Sequence, residues 1–393
     1  MARQQPIEEI SATACPLFIV ENFPPSVGGV ESFNTSVLGE IATRTIGDRA
    51  KGGTLLLPPE SRSWIFEEAP QLASAFDIPE VASGKQGLLE ATLALIDTDP
   101  PPVIVIMRAS KRLRPVLVAA HRTGIPVVTY VHGRTSTFDR WPRRFWWRKR
   151  TGLHLAARVA TNSEYMARNL VSVGHLRREI EVIPLGIDGE RFSPNADWRA
   201  QERENASIGE SPLIVTVSRL VGAKGHRKVI DVFPALLEKF PDLKWWIVGD
   251  GPSRSEIESA IDRAGIADAV SMYGTLPDPR RALAAADLFV LLAEQEAFGL
   301  AALEAQAMGI PALVLEGSGL EEIVESGVSG EVIGSDQDAI LKSLVAWLEN
   351  GELRREAQKS AQTLARQYTW KRTTDQFLEL ITAVSSSTEK VGM

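Results

Sequence analysis

Residues Leu288 to Leu315 constrain the fold of this chain more than any other stretch. Leu288–Leu292 is an unbroken apolar run, the pattern of a strand buried on both faces of a parallel sheet. After Gly299 comes Leu-Ala-Ala-Leu-Glu-Ala-Gln-Ala-Met, nearly all strong helix formers. Gly309 can end that helix in a left-handed conformation, and Pro311 stops any continuation. A second apolar run follows at Pro311–Leu315. Phe298, Gly299 and Leu300 therefore fall at a strand-to-helix turn. Free backbone amides and the positive end of a helix dipole make such a turn an anion site. Glu296 lies in the loop before it, and Glu304 about one turn inside the helix.

A phosphate between two hydroxyl-accepting carboxylates describes a nucleotide-sugar, with a phosphate in the middle and a sugar ring on either side. A helix start that carries two acidic residues by chance reads the same way in isolation. The rest of the chain has to decide.

The chain has 393 residues, enough for two domains of ordinary size, and its 44% hydrophobic and 24% charged residues fit a globular protein. Strand-like and helix-like segments alternate throughout, which predicts an α/β fold with parallel sheets. Cys15 is the only cysteine, so neither an intramolecular disulfide nor a cysteine metal cluster can form. The five histidines are scattered, without a pair at metal-ligand spacing. No apolar run approaches the ~20 residues of a membrane span, and Met1–Ser11 lacks the apolar core of a signal peptide. A cytoplasmic location follows as the expectation. The net charge of -7 argues against a nucleic-acid partner.

Strands are expected at Leu17–Val20, Thr54–Leu57, Val103–Met107, Val127–Val131, Val159–Thr161 and Glu181–Leu185 in the first half. In the second half they are expected at Leu213–Ser218, Lys244–Val248, Val270–Tyr273, Leu288–Leu292, Pro311–Leu315 and Glu331–Ile333. Helical segments lie between many of them, giving two doubly wound domains. Asp188 to Pro212, with Ser193-Pro194-Asn195 and a charged stretch, reads as the joint.

Ligands of open parallel sheets bind at the carboxyl ends of strands, and the candidate residues follow strands. Gly28-Gly29, after the first strand, lets the backbone approach a phosphate, although many such turns are only turns. Arg219 and Lys224 flank a small loop after Leu213–Ser218, an arrangement suited to a departing diphosphate; two solvated surface cations would look the same. Gly249-Asp250-Gly251-Pro252 reads first as a structural turn. His132 ends a strand beside Gly133 and is placed either toward a cleft or as a hydrogen-bonded core histidine.

Taken in order, Gly28-Gly29-Val30-Glu31, Val131-His132-Gly133, Thr161 to Tyr165, Val182 to Asp188 and Arg191-Phe192 form one set of motifs. Ser218-Arg219 with Lys224-Gly225, Gly249 to Pro252, the Glu296–Glu304 block and Gly317 to Val324 continue it. The whole resembles a retaining nucleotide-sugar glycosyltransferase of the GT-B fold, group 1 or family 4 type, over nearly the full chain. The resemblance implies two Rossmann-like domains facing across a cleft: an acceptor-side domain at 1–190 and a nucleotide-sugar domain at 191–369. The last helix, about 370–393, could belong to either.

The resemblance also implies roles. Arg219 and Lys224 would bind the diphosphate, and Glu304 the ribose hydroxyls. Glu296 and the amides of Phe298, Gly299 and Leu300 would hold the donor sugar and distal phosphate. Gly28 and Gly29 would approach the diphosphate from the other domain, and His132 would sit beside the anomeric carbon. A hexosyl unit would pass to an acceptor hydroxyl without a metal or other cofactor, the leaving phosphate taking the acceptor proton. The chain departs from the pattern in having Leu291-Leu292-Ala293-Glu294-Gln295 where Pro-Ser is common, and Ser318-Gly319 where Gly-Gly is usual. Both changes touch the rim of the donor-sugar pocket and leave the sugar open. Epimerisation of a nucleotide-sugar, or mere binding of one, are the alternative readings.

The first half carries a local reversal of charge. Asp139 to Arg150 holds six cations and one anion among four aromatics, including Arg143, Arg144, Trp146, Trp147 and Arg148. A second basic loop starts at Arg108. Both suit an anionic or lipid-linked acceptor, or peripheral contact with the inner face of a membrane. A helix with solvated cations outside and aromatics inside reads equally well.

Overall fold

The computed structural model describes residues 15–24, 28–45, 52–83, 85–133, 151–172 and 179–389. The chain divides into two compact units, residues 1–186 with 370–393, and residues 187–369.

The sheet of the first unit is built from β1 (Leu17–Ile19), β2 (Thr54–Leu56), β3 (Ile104–Ile106), β4 (Val127–Val131), β5 (Arg158–Thr161) and β6 (Glu181–Val182). All pairings are parallel, in the order β2-β1-β3-β4-β5-β6. Strands β1, β3 and β4 are buried along their whole length; β1 and β3 are unbroken apolar runs, and β4 carries Thr129 among its apolar residues. Strand β6 stops at Val182, earlier than expected, because Pro184 has no N–H to offer the ladder.

The final helix, Trp370–Glu389, belongs to this unit. Its Phe377 ring lies 6.0 Å from Phe33 and 5.9 Å from Tyr130. Thr373 Oγ1 donates to the Pro184 carbonyl at 2.8 Å, and Asp375 pairs with Arg44 at 2.7 Å. An aromatic core and two polar ties thus decide the question that periodicity left open.

The sheet of the second unit contains β7 (Leu213–Val217), β8 (Lys244–Val248), β9 (Val270–Gly274), β10 (Leu288–Leu291), β11 (Ala312–Leu315) and β12 (Gly330–Ile333). Its order is β12-β11-β10-β7-β8-β9, again all parallel. Trp245, Phe233 and Leu236 fill one face, with the Phe233 and Trp245 rings stacked at 5.7 Å.

Asp188–Pro212 is not an open joint. It contains a helix, Ala196–Asn205, that lies within the second unit. Arg199 and Arg203 donate to the carbonyls of Ala285 and Ala286 and to the Asp287 carboxylate. A strongly polar sequence hides this packing, because charged side chains carry it.

Each sheet reverses its winding once. In the first unit the reversal falls between β1 and β3, and in the second between β7 and β10. Such switch points open a crevice at the carboxyl ends of the strands, because the flanking loops leave in opposite directions.

Candidate active site

The switch point of the second unit brings two sequence-distant loops together. Lys224, after β7, and Glu296, after β10, form an ion pair whose side chains are 19% and 18% exposed. Several contacts clamp the loops around it. Glu294 N–H donates to the Ala223 carbonyl at 3.1 Å, and Lys228 pairs with Glu294 at 3.1 Å. Gly225 has φ +75° and lies so close to Leu292 that a Cβ would meet its carbonyl oxygen. Only glycine satisfies both demands.

The loop from Glu296 to Leu300 presents three consecutive amides, Phe298, Gly299 and Leu300, that make no hydrogen bond among the described residues. Glu296 Oε1 accepts from Ala297 N–H at 2.9 Å, which fixes the carboxylate against its own turn. Gly299 has φ +100°, and a Cβ there would strike the Leu320 side chain. The helix Leu300–Ala307 starts directly after it. The side chain of Phe298 is in the core, 5.8 Å from Tyr368, so only its amide can meet a ligand. Gly319 N–H donates to the Glu296 carbonyl at 2.8 Å and ties the Gly317–Gly319 loop to the same site.

Arg219 is exposed and has no ion-pair partner among the described residues. His226, two residues after Lys224, is 3% exposed, and its Nε2 lies 3.2 Å from Ser218 Oγ. This contact joins the two ends of the loop that carries Arg219 and Lys224. Burial, reinforced by the Lys224 charge, lowers His226 to about 4 and keeps it neutral.

Glu304 stands in the second turn of its helix. Part of its surface reaches solvent, yet the atoms packed around it pull the carboxyl out of the ordinary range. Burial pushes it up to about 7, while Arg191 opposes and Asp278 adds to the shift. Arg280 chelates Asp278 and donates to the Arg191 carbonyl at 3.0 Å, so the three form one charged frame. Pro279 to Ala286 reads as a helix in the sequence, but the role of Asp278 and Arg280 was missed, because their partner Arg191 is 89 residues from Arg280.

Beside this site, the ends of β11 and β12 form an open depression that includes Glu294, Glu316 and Glu321. Three carboxylates repel phosphate, so an anion belongs on the Lys224 side. No group of three His, Cys, Asp or Glu side chains among the described residues has the spacing of a metal site.

In the first unit, His132 follows β4. Its Nε2 donates to the Met107 carbonyl at 2.9 Å, which leaves Nδ1 as an acceptor. The ring packs 4.7 Å from both Phe33 and Tyr130. Burial lowers its pKa to about 4, against the raising effect of the Met107 bond, and the Arg108 charge adds to the lowering. Gly28 and Gly29 are exposed at the start of the helix Gly29–Thr45. Arg108 Nη1 donates to Asn22 Oδ1 at 2.6 Å. Arg143, Arg144, Trp146, Trp147 and Arg148 lie outside the described residues. No helix among the described residues is long and apolar enough to cross a membrane.

Comparison with known proteins is consistent with this geometry. The family described as "Glycosyl transferases group 1" matches residues 198–364, and "Glycosyltransferase Family 4" matches residues 89–191. One relative is the GDP-mannose-dependent alpha-(1-6)-phosphatidylinositol monomannoside mannosyltransferase of Mycolicibacterium smegmatis. It is 26% identical over 350 residues, covering 82% of this chain and 86% of the relative. Anabaena HepE in complex with UDP and glucose superposes with a TM-score of 0.74 at 19% identity, over 94% of this chain and 99% of that one. Sucrose-phosphate synthase from Thermosynechococcus elongatus gives 0.74 at 19% identity, over 95% and 100%. These likenesses establish the GT-B fold.

Proposed function

Because this chain is a glycosyltransferase of the group 1 type, we propose that it moves a hexosyl unit from a nucleotide diphosphate sugar to an acceptor hydroxyl, with retention and without a metal ion. The convergence of Lys224, Glu296 and the three free amides at one switch point carries this reading. The anomeric carbon loses its bond to the phosphate oxygen and gains one to the acceptor oxygen. Negative charge grows on the diphosphate as that first bond breaks. Lys224, Arg219 and the amides are positioned to stabilise it, which lowers the barrier because the contact strengthens in the transition state.

Retention requires the acceptor to approach the face the leaving group vacates. The nearest base on that face is the departing phosphate oxygen, which takes the acceptor proton. Glu304 accepts hydrogen bonds from the ribose hydroxyls. Glu296 has one oxygen on the Ala297 amide and the other on Lys224, and it turns toward donor-sugar hydroxyls when phosphate engages the lysine. The neutral His132, with Nδ1 accepting, suits a sugar hydroxyl near the anomeric carbon.

The mycobacterial relative acts, by its name, on a phosphatidylinositol mannoside. That, with the basic aromatic run from Arg140 to Arg150, supports an anionic, lipid-linked or soluble phosphorylated acceptor at the inner face of the membrane.

The test is a transfer assay in EDTA with UDP-, GDP- and ADP-hexoses, followed by NMR of the product's anomeric proton. An α-linked donor should give an α-linked product, undiminished by the chelator. A β-linked product would overturn retention. Activity lost in EDTA and restored by magnesium or manganese would overturn the metal-free mechanism.

A further inference from the structure

The first unit holds a charged group that donor chemistry leaves unused. Its sheet reverses between β1 and β3, and the loops after those strands meet at that point. Asn22 follows β1 and Arg108 follows β3. Arg108 Nη1 donates to Asn22 Oδ1 at 2.6 Å, and Asn22 Nδ2 donates to Glu31 Oε1 at 3.2 Å. The fully buried Asn34 donates from Nδ2 to the Asn22 carbonyl at 2.6 Å. Backbone and side chain of Asn22 are thus both fixed, and its oxygen aims the guanidinium.

Among the described residues, no carboxylate pairs with Arg108, and Asn22 engages one of its five donors. The side chain is half-buried. A half-buried cation held by a single neutral amide keeps most of its desolvation cost uncompensated, and an anion would offset that cost. Two residues on, the Ser110 hydroxyl oxygen is buried without a hydrogen-bond partner among the described residues. Its O–H is an unused donor two residues from Arg108. Lys111 and Arg112 are exposed on the next turn and raise the local potential. The Met107 carbonyl, one residue before Arg108, accepts the His132 Nε2 proton, and the Arg108 charge acts on that candidate catalytic imidazole.

We propose that Arg108, aimed by Asn22 and assisted by the Ser110 hydroxyl, binds the phosphate of a phosphate-ester acceptor beside His132. The proposal rests on the transferase reading above and adds the residue that selects the acceptor's charge. A planar fork of donors matches two phosphate oxygens at once, which a lysine cannot reproduce.

Two histidines report on the two anion sites separately: His132 beside Arg108, and His226 beside Lys224. The full chain, labelled on imidazole nitrogens and assigned with His132→Gln and His226→Gln, is titrated with glycerol 3-phosphate. The His132 signal should shift saturably. Arg108→Gln should weaken that response by about 10- to 100-fold, the usual scale for one charge-assisted contact, and Arg108→Lys should restore part of it. Should Arg108→Gln fail to fold, Asn22→Ala, which releases the guanidinium, should weaken the same response.

Flotation with phosphatidylcholine vesicles, with and without phosphatidylinositol, identifies the source of the phosphate. Retention that needs phosphatidylinositol and Arg108 assigns a lipid headgroup. A His132 response without retention assigns a soluble ester. A shift confined to His226 would overturn the acceptor site while supporting the diphosphate site. A His132 response unchanged by Arg108→Gln, or no response in either assay, would also overturn it. A His132 response in a protein that transfers no sugar from any nucleotide donor would instead sink the transferase mechanism.

Discussion

Glu304 shows how one residue's surroundings set its chemistry. Its carboxyl is ordinary at 4.5 in an unfolded chain and rises to about 7 in the folded one, chiefly through burial. The folded state therefore holds its proton more tightly. Stability from this group is complete below about 4.5 and is lost as pH rises through about 7. The thermal midpoint of the ligand-free protein should fall over that window, and Glu304→Gln should flatten the fall. Ribose hydroxyls donate to the ionised form, so donor affinity should rise with pH, by roughly tenfold per unit below the pKa. Superimposable pH profiles for the wild type and Glu304→Gln would refute this account of the residue.

Glu304 and Lys224 were legible in the sequence because Lys224 lies in the loop after one unmistakable strand and Glu304 in the helix after another. The Lys224–Glu296 ion pair was not legible, since its partners are 72 residues apart and meet only when β7 pairs with β10. Asn22 gave no signal at all. Its importance comes from three hydrogen bonds that no local pattern encodes.

At the scale of elements, the apolar strands were the easiest to read. A parallel strand covered by helices on both faces is rich in Val, Ile and Leu, and β3, β4, β7 and β10 are all of that kind. The helix Ala196–Asn205 was obscured by its composition. Its docking depends on Arg199 and Arg203 reaching backbone carbonyls, so hydrophobic periodicity is silent there.

The turns matter more for function than the elements they join. Gly225 packs directly on the Leu292 carbonyl and sets where Lys224 ends. Gly225→Ala should destabilise the protein by about 1–3 kcal/mol or more, because it combines a disfavoured φ with a backbone clash. Donor affinity should drop further than the stability loss alone requires. Equilibrium denaturation alongside nucleotide binding checks both. An alanine variant with wild-type midpoint and affinity would mean that the close approach does not position the lysine.

At the scale of the molecule, the chain builds two parallel sheets, each with its own switch point, and returns its last helix to the first unit. That helix packs Phe377 on Phe33 and Tyr130, and both of those rings touch His132. The end of the chain thus buttresses a candidate catalytic residue near its middle. An overall charge of -7 conceals positive spots at Arg108 and at the Arg219–Lys224 loop. Total charge describes the average surface, whereas the sites depend on where individual cations stand.

The second unit is proposed to grip a nucleotide diphosphate sugar through Lys224 and the amides of Phe298 to Leu300. The most direct measurement is calorimetric binding of UDP, GDP and ADP to the full chain in EDTA, repeated with Lys224→Ala. One nucleotide should bind saturably without metal, and Lys224→Ala should weaken it by about 10-fold or more while the protein stays folded. Binding of equal strength in the folded Lys224→Ala variant, or no binding of any of the three, would contradict the account.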